Sequence, residues 1–517
     1  MSRRIAANLA VACLTAVLGL SGTARASDLP LTFDAGCSPG NRLRIAAVGD
    51  LLFHQTLQRQ ALAAKGDYRR FWSPVQAILS QADMVYGNFE GPAADGIAAG
   101  GGAVRDPGRT LDGRVYGTTP GALIFNYHPS ALQDLKASGF TIVSTANNHA
   151  ADRGSLGIDR TIDNIRRAGL AFTGTRKRGE NDAPWSAITR AKGFTVAWLA
   201  CTYSTNGMPD RFGQALNCYS QREVVMGEIQ RLAADPAIDA VILTPHWGQE
   251  YAHQPSPGDR RYARDAIEAG ADAVLGAHPH VLQPWEQYRT ASGREGLIVY
   301  SLGNFISNQQ KPAQRSGVIA LLELTKPSGE PRARLSAAGF VPTWVDFTPL
   351  GHRVTEMRAG PPAKGSPLAA TLQLLPKDNR VTSATLANLP RSCPSDLIAS
   401  ASAAADALLL QPESDTPPTA RISSATAVAS IQPSVLLSVT MAIEGEGDAE
   451  PRRAPVMLGA LVTAGATLAH AIPMAIAGDP GRPAPLPAPD REPRRHALRL
   501  QDRPLGERAE RPLPPLS

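Results

Sequence analysis

Seven side chains that can bind or work beside a divalent metal lie in short polar clusters along the first part of the chain. They are Asp50, Glu90, Asn148, His149, His246, His278 and His280. Carboxylates and imidazoles together suit divalent transition metals such as Mn, Zn or Fe. Two such ions can activate water and stabilise charge on an attacked phosphoryl or carbonyl centre. A histidine that is not a ligand can then protonate the leaving group.

The strongest single cluster is Gly276-Ala277-His278-Pro279-His280. In extended chain, residues two apart point to the same face, so both imidazoles can reach one site. Each residue also has a simpler interpretation. Asp50 can cap a helix, Asn148 can be a turn residue, His246 can be a packed histidine, and the last two histidines can be solvated in a loop.

Short apolar runs precede the polar clusters, and each run is too short for an ordinary helix. The predicted strands are Leu43–Val48, Met84–Tyr86, Thr141–Ser144, Ala240–Thr244 and Ala273–Leu275. The helices predicted between them are Pro129–Ser138, Gly157–Ala168 and Arg261–Ala269, each followed by or ending near a glycine. This alternation is typical of an α/β fold, in which ligands collect beyond the carboxyl ends of strands. The order therefore predicts that the clusters meet at one edge.

Three further strands are expected at Gly296–Ser301, Ser316–Leu324 and Ala338–Phe347, the last two antiparallel, and Gly91–Thr119 is expected to be a long loop near the site. We place the folded domain at 43–399, with its core motifs in 43–308. A short lead-in, 27–42, precedes it.

The N-terminus carries the features of an export signal. Ser2-Arg3-Arg4 precedes the apolar run Ile5–Leu20, and Ala24-Arg25-Ala26 offers a cleavage site. We predict a signal peptide over 1–26 and a periplasmic or cell-envelope protein, with or without membrane association; an uncleaved anchor is the alternative. The net charge of +6 comes mostly from scattered arginines, with no basic stripe, so nucleic acid is not an expected partner.

Four cysteines remain after the predicted cleavage, an even number that permits disulfides in an exported protein. We favour a local Cys201–Cys218 bond and a Cys37–Cys393 bond between the ends of the domain. Four free buried thiols are the alternative.

Residues 400–517 are rich in Ala, Ser and Pro and are predicted to be mostly disordered. One apolar segment, 454–478, is long enough to span a bilayer. A C-terminal membrane anchor and a misread or extended reading frame are the alternatives.

Six motifs, taken in order and spacing, resemble the CapA (poly-γ-glutamate capsule synthesis protein) family of the calcineurin-like metallophosphoesterase superfamily. The motifs are Val48-Gly49-Asp50, Gly87-Asn88-Phe89-Glu90-Gly91-Pro92, Ala146-Asn147-Asn148-His149-Ala150-Ala151-Asp152-Arg153-Gly154, His246-Trp247-Gly248-Gln249-Glu250-Tyr251, Gly276-Ala277-His278-Pro279-His280-Val281 and Tyr300-Ser301-Leu302-Gly303-Asn304-Phe305. The resemblance implies a sandwich of two mixed β-sheets flanked by helices.

The resemblance also implies roles for individual residues. Asp50, Glu90, Asn148, His246, His278 and His280 would hold one or two divalent ions, with Glu90 standing in for a bridging aspartate, and His149 would be the general acid. Residues expected around the ligands or against the substrate are Asp152, Arg153, Glu250 and Asn304. Arg153 could grip a phosphate or carboxylate, or form a surface salt bridge. Two departures from the family pattern matter. Leu52 stands where the pattern has a histidine, and the nearest histidine is His54. Glu90 in place of aspartate adds a methylene, which moves the bridging oxygens.

The resemblance implies participation in making or exporting poly-γ-glutamate or a related anionic envelope polymer. The expected partners are an anionic polymer or phosphoester substrate and capsule synthesis or export machinery at the membrane. Two alternatives stay open: a non-catalytic accessory that holds the polymer through bound metal, and a structural surface protein with a decayed site.

Overall fold

A computed structural model describes residues 30–119, 122–358 and 363–391, together with the backbone of three short strands between 427 and 457. The predicted signal peptide and most of the predicted tail lie outside the described residues. The chain separates into two units, one containing residues 30–391 and one containing the three short strands. All side chains discussed below belong to the first unit.

The first unit alternates strands and helices along most of its length. Its first half contains β1 (Gly40–Leu51), α1 (Gln55–Ala63), α2 (Gln76–Leu79), β2 (Met84–Phe89), β3 (Gly117–Thr118), β4 (Phe125–Asn126), α3 (Ser130–Ala137), β5 (Ile142–Ser144), α4 (Gly154–Ala168), β6 (Ala171–Thr173), β7 (Ala187–Ala191) and β8 (Phe194–Thr202). Its second half contains α5 (Arg222–Ala234), β9 (Ala240–His246), α6 (Pro257–Ala269), β10 (Ala273–Leu275), β11 (Trp285–Arg289), β12 (Glu295–Val299), β13 (Asn304–Ile306), α7 (Pro312–Arg315), β14 (Ser316–Pro327), β15 (Arg334–Thr348), β16 (Gly351–Glu356) and α8 (Pro367–Leu374).

Two mixed sheets form the centre of this unit. The first has the order β16-β15-β14-β1-β2-β5-β6, with β13 also paired to β1. The second has the order β11-β12-β10-β9-β8-β7. In the first sheet β1, β2, β5 and β6 are parallel, and in the second β8, β9, β10 and β12 are parallel. The predicted α/β sandwich of two mixed sheets is therefore confirmed, as is the antiparallel pairing of β14 with β15.

The alternation of apolar residues along β1 shows how the layers are built. Leu43 and Ile45 face the cluster between the two sheets, whereas Ala46 and Val48 face a second cluster that contains residues of α1 to α4. Helices α5 and α6 cover the outer face of the second sheet. Between the sheets, the rings of Tyr86 and Trp198 stack with centroids 5.4 Å apart. The result is four layers: helices, sheet, sheet, helices.

Close backbone approach requires glycine at two strand ends beside the polar clusters. A Cβ atom at Gly49 would lie 1.8 Å from the carbonyl oxygen of Gly303, and one at Gly276 would lie 2.0 Å from that of Tyr300. These glycines let the loops after β1 and β10 pack against the segment 300–304. That segment thereby joins the two sheets where their parallel strands end.

The three short strands of the second unit form an antiparallel sheet. They are β17 (Ala427–Val428), β18 (Ser438–Ala442) and β19 (Arg453–Met457), in the order β17-β18-β19. The rest of the predicted disordered tail lies outside the described residues. No helix within the described ranges is long and apolar enough to cross a membrane, and most of the segment 454–478 is not among them.

Candidate metal centre

The predicted ligands come from the carboxyl ends of five parallel strands, three in the first sheet and two in the second, with Asn148 following β5. Asp50 lies near the end of β1 and Glu90 directly follows β2. His246 ends β9, and His278 and His280 follow β10. Because both sets of strands end on the same side, their side chains form one buried cluster, in which each residue is at most 3% exposed.

Glu90 lies at the centre of this cluster. Its Oε1 atom is 3.7 Å from Nε2 of His246 and 3.7 Å from Nε2 of His280. The side chain is fully buried, and neither of its carboxylate oxygens has a hydrogen-bond partner. Burial, and next the charge of Asp50, raise the pKa of Glu90 well above its usual value. A carboxylate in this position needs a cation.

Two groups of three candidate ligands share Glu90. One consists of Asp50, Glu90 and His280, and the other of Glu90, His246 and His278; within each group the ligand atoms lie within 4.8 Å of one another. Such sharing is the arrangement expected of a carboxylate that bridges two ions.

The imidazole of His280 is oriented from its Nδ1 side. That atom lies 3.0 Å from Oδ2 of Asp50 and 3.1 Å from Oδ1 of Asn304. Two acceptors at Nδ1 assign a proton to this atom and turn Nε2 toward Glu90, so that Nε2 can bind an ion once it has lost its own proton. Burial opposes a charge on His280, but Glu90 and Asp50 together raise its pKa to about 9.

His246 is held between two amide side chains. Its Nε2 atom lies 2.9 Å from Oδ1 of Asn148, and its Nδ1 atom lies 3.2 Å from Nδ2 of Asn88. Asn88 also donates to Oδ1 of Asp50 at 2.8 Å, so it joins the two ligand groups. Burial, then the neighbouring histidines His278 and His280, hold the pKa of His246 well below its usual value.

The loop that carries His278 and His280 has a strained backbone. Both residues have positive φ angles, 98° and 57°, which non-glycine residues rarely adopt. Strain of this kind persists where the surrounding structure fixes it and is frequent at functional sites. Nδ1 of His278 is buried without a hydrogen-bond partner, and its ring centroid lies 4.5 Å from that of Tyr203. Burial lowers the pKa of His278 to about 3, so the imidazole is neutral and has a lone pair that can bind a metal ion.

His149, the predicted general acid, stands beside the ligands. Its Nδ1 atom lies 2.9 Å from Oδ2 of Asp152, and its ring packs edge-on against Phe125 with centroids 4.7 Å apart. Asn147 fixes the turn before it: its side-chain amide donates to the carbonyl of Phe89, and its Oδ1 accepts the backbone N–H of His149. Asp152 is thus the orienting partner of the imidazole.

The other residues that the sequence places near the site take different positions. Asn304 is buried and orients His280, as described above. Arg153 is fully buried, and its guanidinium donates to the backbone carbonyls of Asp152 and Val115, so its position favours holding the loop over contacting a substrate. It forms no surface salt bridge. Glu250 is exposed at the mouth of the cluster.

Position 52 does not contribute to the cluster. Leu52 is 2% exposed and packs in the apolar layer beneath the first sheet. His54 does not replace the missing histidine, because it belongs to none of the ligand groups among the described residues; its Nδ1 atom lies 3.3 Å from the carbonyl of Leu52 and 3.3 Å from the backbone nitrogen of Asn308.

Asn88, Tyr203 and Tyr251 are the site residues that the sequence reading missed. Asn88 lies two residues before Glu90 at the end of a strand, so strand alternation could have placed both on one face. Tyr203 follows β8, whose partner in the sheet is the strand ending at His246. The charge of Glu250 adds to burial in raising the pKa of Tyr251 to about 12.

The residues present fit a divalent metal. The donor set is carboxylate, imidazole and amide oxygen, which suits Mn, Zn or Fe. The unpartnered oxygens of Glu90 and the unpartnered Nδ1 of His278 are buried lone pairs that a cation would satisfy. Asp50 accepts hydrogen bonds at both carboxylate oxygens, and each oxygen keeps a further lone pair for an ion.

Fold and site together define an α/β protein with a buried cleft of carboxylate and imidazole ligands between two mixed sheets. Residues 44–309 match the family described as "Bacterial capsule synthesis protein PGA_cap". The match covers more than half of the chain and every residue of the cleft described above. The chain belongs to this family.

Curated relatives agree with this assignment. The chain is 29% identical over 280 residues to the "Capsule biosynthesis protein CapA" of Bacillus anthracis, a match that covers 52% of this chain and 60% of the relative. It is 27% identical over 285 residues to the "PGA biosynthesis protein CapA" of Bacillus subtilis (strain 168), covering 55% and 68%. The match thus spans about three fifths of the first relative's length.

Among solved structures, a phosphatase from Mycoplasma pneumoniae aligns with a TM-score of 0.32 at 11% identity, covering 59% of this chain and 94% of that one. The Haemophilus influenzae NAD nucleotidase aligns with a TM-score of 0.33 at 11% identity, covering 72% and 61%.

Proposed function

We propose that this protein is a metal-dependent hydrolase of the phosphoesterase type that acts in the synthesis or export of poly-γ-glutamate or a related anionic envelope polymer. One observation carries the proposal: two candidate ligand groups share Glu90, a fully buried carboxylate whose oxygens have no hydrogen-bond partner. The family and the names of the relatives supply the polymer.

The residues of the cleft divide into metal ligands and a proton donor. Asp50, Glu90 and His280 would hold one ion, and Glu90, Asn148, His246 and His278 the other. A divalent ion bound there supplies Lewis-acid stabilisation of negative charge on an attacked phosphoryl or carbonyl centre. Asn304 and Asn88 keep the ligands oriented, and the apolar layers behind them exclude water.

His149 is the group that moves a proton. Its Nδ1 atom is engaged by Asp152, which leaves Nε2 free to protonate a leaving-group oxygen. The pairing of an imidazole with a buried carboxylate fixes the ring orientation and the tautomer.

The proposal is tested with the purified full chain. We expect Mn, Zn or Fe in elemental analysis and hydrolysis of p-nitrophenyl phosphate or bis(p-nitrophenyl) phosphate after addition of Mn²⁺. His278→Ala and His280→Ala should each lose metal and activity. His253→Ala is the matched control, because His253 belongs to none of the ligand groups and bonds only the carbonyl of Leu282.

A second candidate function is a non-catalytic accessory that holds a carboxylate-rich polymer through bound metal. Two observations favour it: Leu52 removes one ligand from the first group, and the buried Arg153 guanidinium is engaged by backbone carbonyls. Retained metal and polymer binding, without hydrolysis under any divalent ion, would establish this function and rule out the enzyme.

We propose further that the protein is exported to the periplasm or cell envelope, where capsule machinery at the membrane would be its partner. The Cys201–Cys218 disulfide supports this location, because such bonds persist in oxidising compartments. Fusion of residues 1–26 to a reporter that is active only after export tests the signal.

A further inference from the structure

Glu250 approaches the metal cleft from its exposed side. It lies four residues after the end of β9, and its carboxylate forms a third ligand group with His278 and His280, in which the ligand atoms lie within 4.8 Å of one another. The two histidines also belong to the buried groups that contain Glu90. Glu90 therefore faces these imidazoles from inside the protein and Glu250 from the solvent side.

The segment that carries Glu250 is fixed to the histidine loop. The backbone N–H of Trp247 donates to the carbonyl of Ala277 at 3.1 Å, and that of Tyr251 donates to the carbonyl of Pro279 at 2.8 Å. Tyr251 has a φ of 66°, an uncommon conformation for a bulky residue. These two bonds and the strained residue hold an exposed carboxylate beside the two imidazoles.

The first ligand group is also short of a side chain. Asp50, Glu90 and His280 supply three ligands. Leu52 packs in the core, and His54 belongs to none of the ligand groups among the described residues. Within the described ranges, Glu250 is the remaining acidic residue that shares a ligand group with His280.

We propose that Glu250 is a metal ligand that closes the exposed side of the cleft. This inference rests on the proposed metal centre and adds a role to it. Since Glu250 is exposed whereas the other ligands are buried, it is the ligand that an anionic substrate group can replace without disturbing the core.

Metal binding itself tests the role. Mn²⁺ titration of the metal-free full chain by calorimetry should give a dissociation constant raised about tenfold or more in Glu250→Ala and Glu250→Gln, on the scale seen when groups supporting a metal site are removed. Gln249→Ala, which changes the exposed neighbour, should bind as the wild type does. Because Glu250 is exposed, far-UV circular dichroism should be unchanged in all three variants.

Unchanged Mn²⁺ affinity in both Glu250 variants would overturn the inference. A parallel titration of His278→Ala separates this failure from that of the metal centre. If His278→Ala loses Mn²⁺ and the Glu250 variants do not, only the role of Glu250 is rejected. If His278→Ala also binds normally, the metal centre is rejected with it.

Discussion

His149 and Asp152 form a buried pair in which Nδ1 of the imidazole lies 2.9 Å from a carboxylate oxygen, and the same oxygen accepts the backbone N–H of Phe125 at 2.7 Å. The carboxylate of Asp152 thus accepts hydrogen bonds from both the imidazole of His149 and the backbone of β4. Asp152 is three residues after His149, in the turn that leads into α4, so one short segment supplies both partners.

Replacing Asp152 with Asn should lower turnover without loss of metal. The amide lacks the negative charge that stabilises a protonated ring, and when it donates to Nδ1 it reverses the hydrogen bond that orients the imidazole. General acid catalysis contributes about 10²- to 10⁴-fold, so we expect kcat to fall by about 10²-fold or more. Steady-state kinetics on a phosphoester measure the turnover, and elemental analysis measures the metal content. A proportional loss of metal and activity would contradict the role.

Glu90→Gln should stabilise the metal-free protein while abolishing its response to metal. Without a cation, the wild type buries a carboxylate that has no hydrogen-bond partner, which is costly. Relief of about 1 kcal/mol would raise the unfolding temperature by about 2 °C. Calorimetry with a chelator and then with Mn²⁺ measures both effects.

The exposed Glu223 provides the control for this substitution, since its side chain is 89% exposed. Glu223→Gln should leave both the unfolding temperature and the response to Mn²⁺ unchanged. A metal-free Glu90→Gln protein that unfolds below the wild type would argue against an uncompensated charge at this position.

The stability of the protein should fall as the pH drops below about 6.5. Burial lowers the pKa values of His54 and His352 to about 4 in the folded state, against an ordinary value of 6.5. Between these values the unfolded chain binds protons that the folded chain does not, so acid favours unfolding. Both histidines bond Asn308, through its backbone N–H and its Oδ1 respectively.

Urea unfolding of wild type and of His54→Gln/His352→Gln at pH values from about 4.5 to 7.5 tests this dependence. As the pH falls across this range, the free energy of unfolding should decrease less in the variant than in the wild type. Parallel pH profiles for the two proteins would show that these histidines do not control acid sensitivity.

Reduction of the Cys201–Cys218 bond should destabilise the fold. The cysteines are 17 residues apart and join the end of β8 to the segment before α5. Closing a loop of this size contributes about 3 kcal/mol through the unfolded chain. Thermal unfolding with and without reductant should therefore differ more for the wild type than for Cys201→Ala/Cys218→Ala, in which only the predicted Cys37–Cys393 bond remains to be reduced. Cys393 lies outside the described residues, so the Cys37–Cys393 bond stays a prediction.

The sequence predicted best where a strand ends in a chemically distinctive cluster. The runs before Asp50, Glu90, His246 and His278 are strands in the structure, and the side chains after them converge because parallel strands end together. Of these four predicted strands, three are shorter than the observed ones and one, Ala273–Leu275, is equal to it. Strand ends such as Gly40–Arg42 were not predicted because they carry polar residues.

Other features of the fold and the site could not be predicted from single motifs. The order of strands in two sheets depends on pairings such as β1 with β14, which are distant in sequence. Arg153 looked available to a substrate, but its burial follows from packing of the 112–116 segment over it. Strand β8 was missed although it pairs with β9 in the second sheet, because Phe194–Thr202 precedes no metal-ligand cluster.

The pairing of Asp50 with His280 joins positions 230 residues apart, one in β1 of the first sheet and one in the loop after β10 of the second. Contacts of such long sequence separation form late, after most of the chain has ordered. A bound ion would then stabilise the native state but not the folding transition state, because the contact between Asp50 and His280 has not yet formed there. It should lengthen the lifetime of the folded protein against unfolding while leaving the refolding rate almost unchanged. The cleft would in that case slow the unfolding of the protein, independently of any bond that it cleaves.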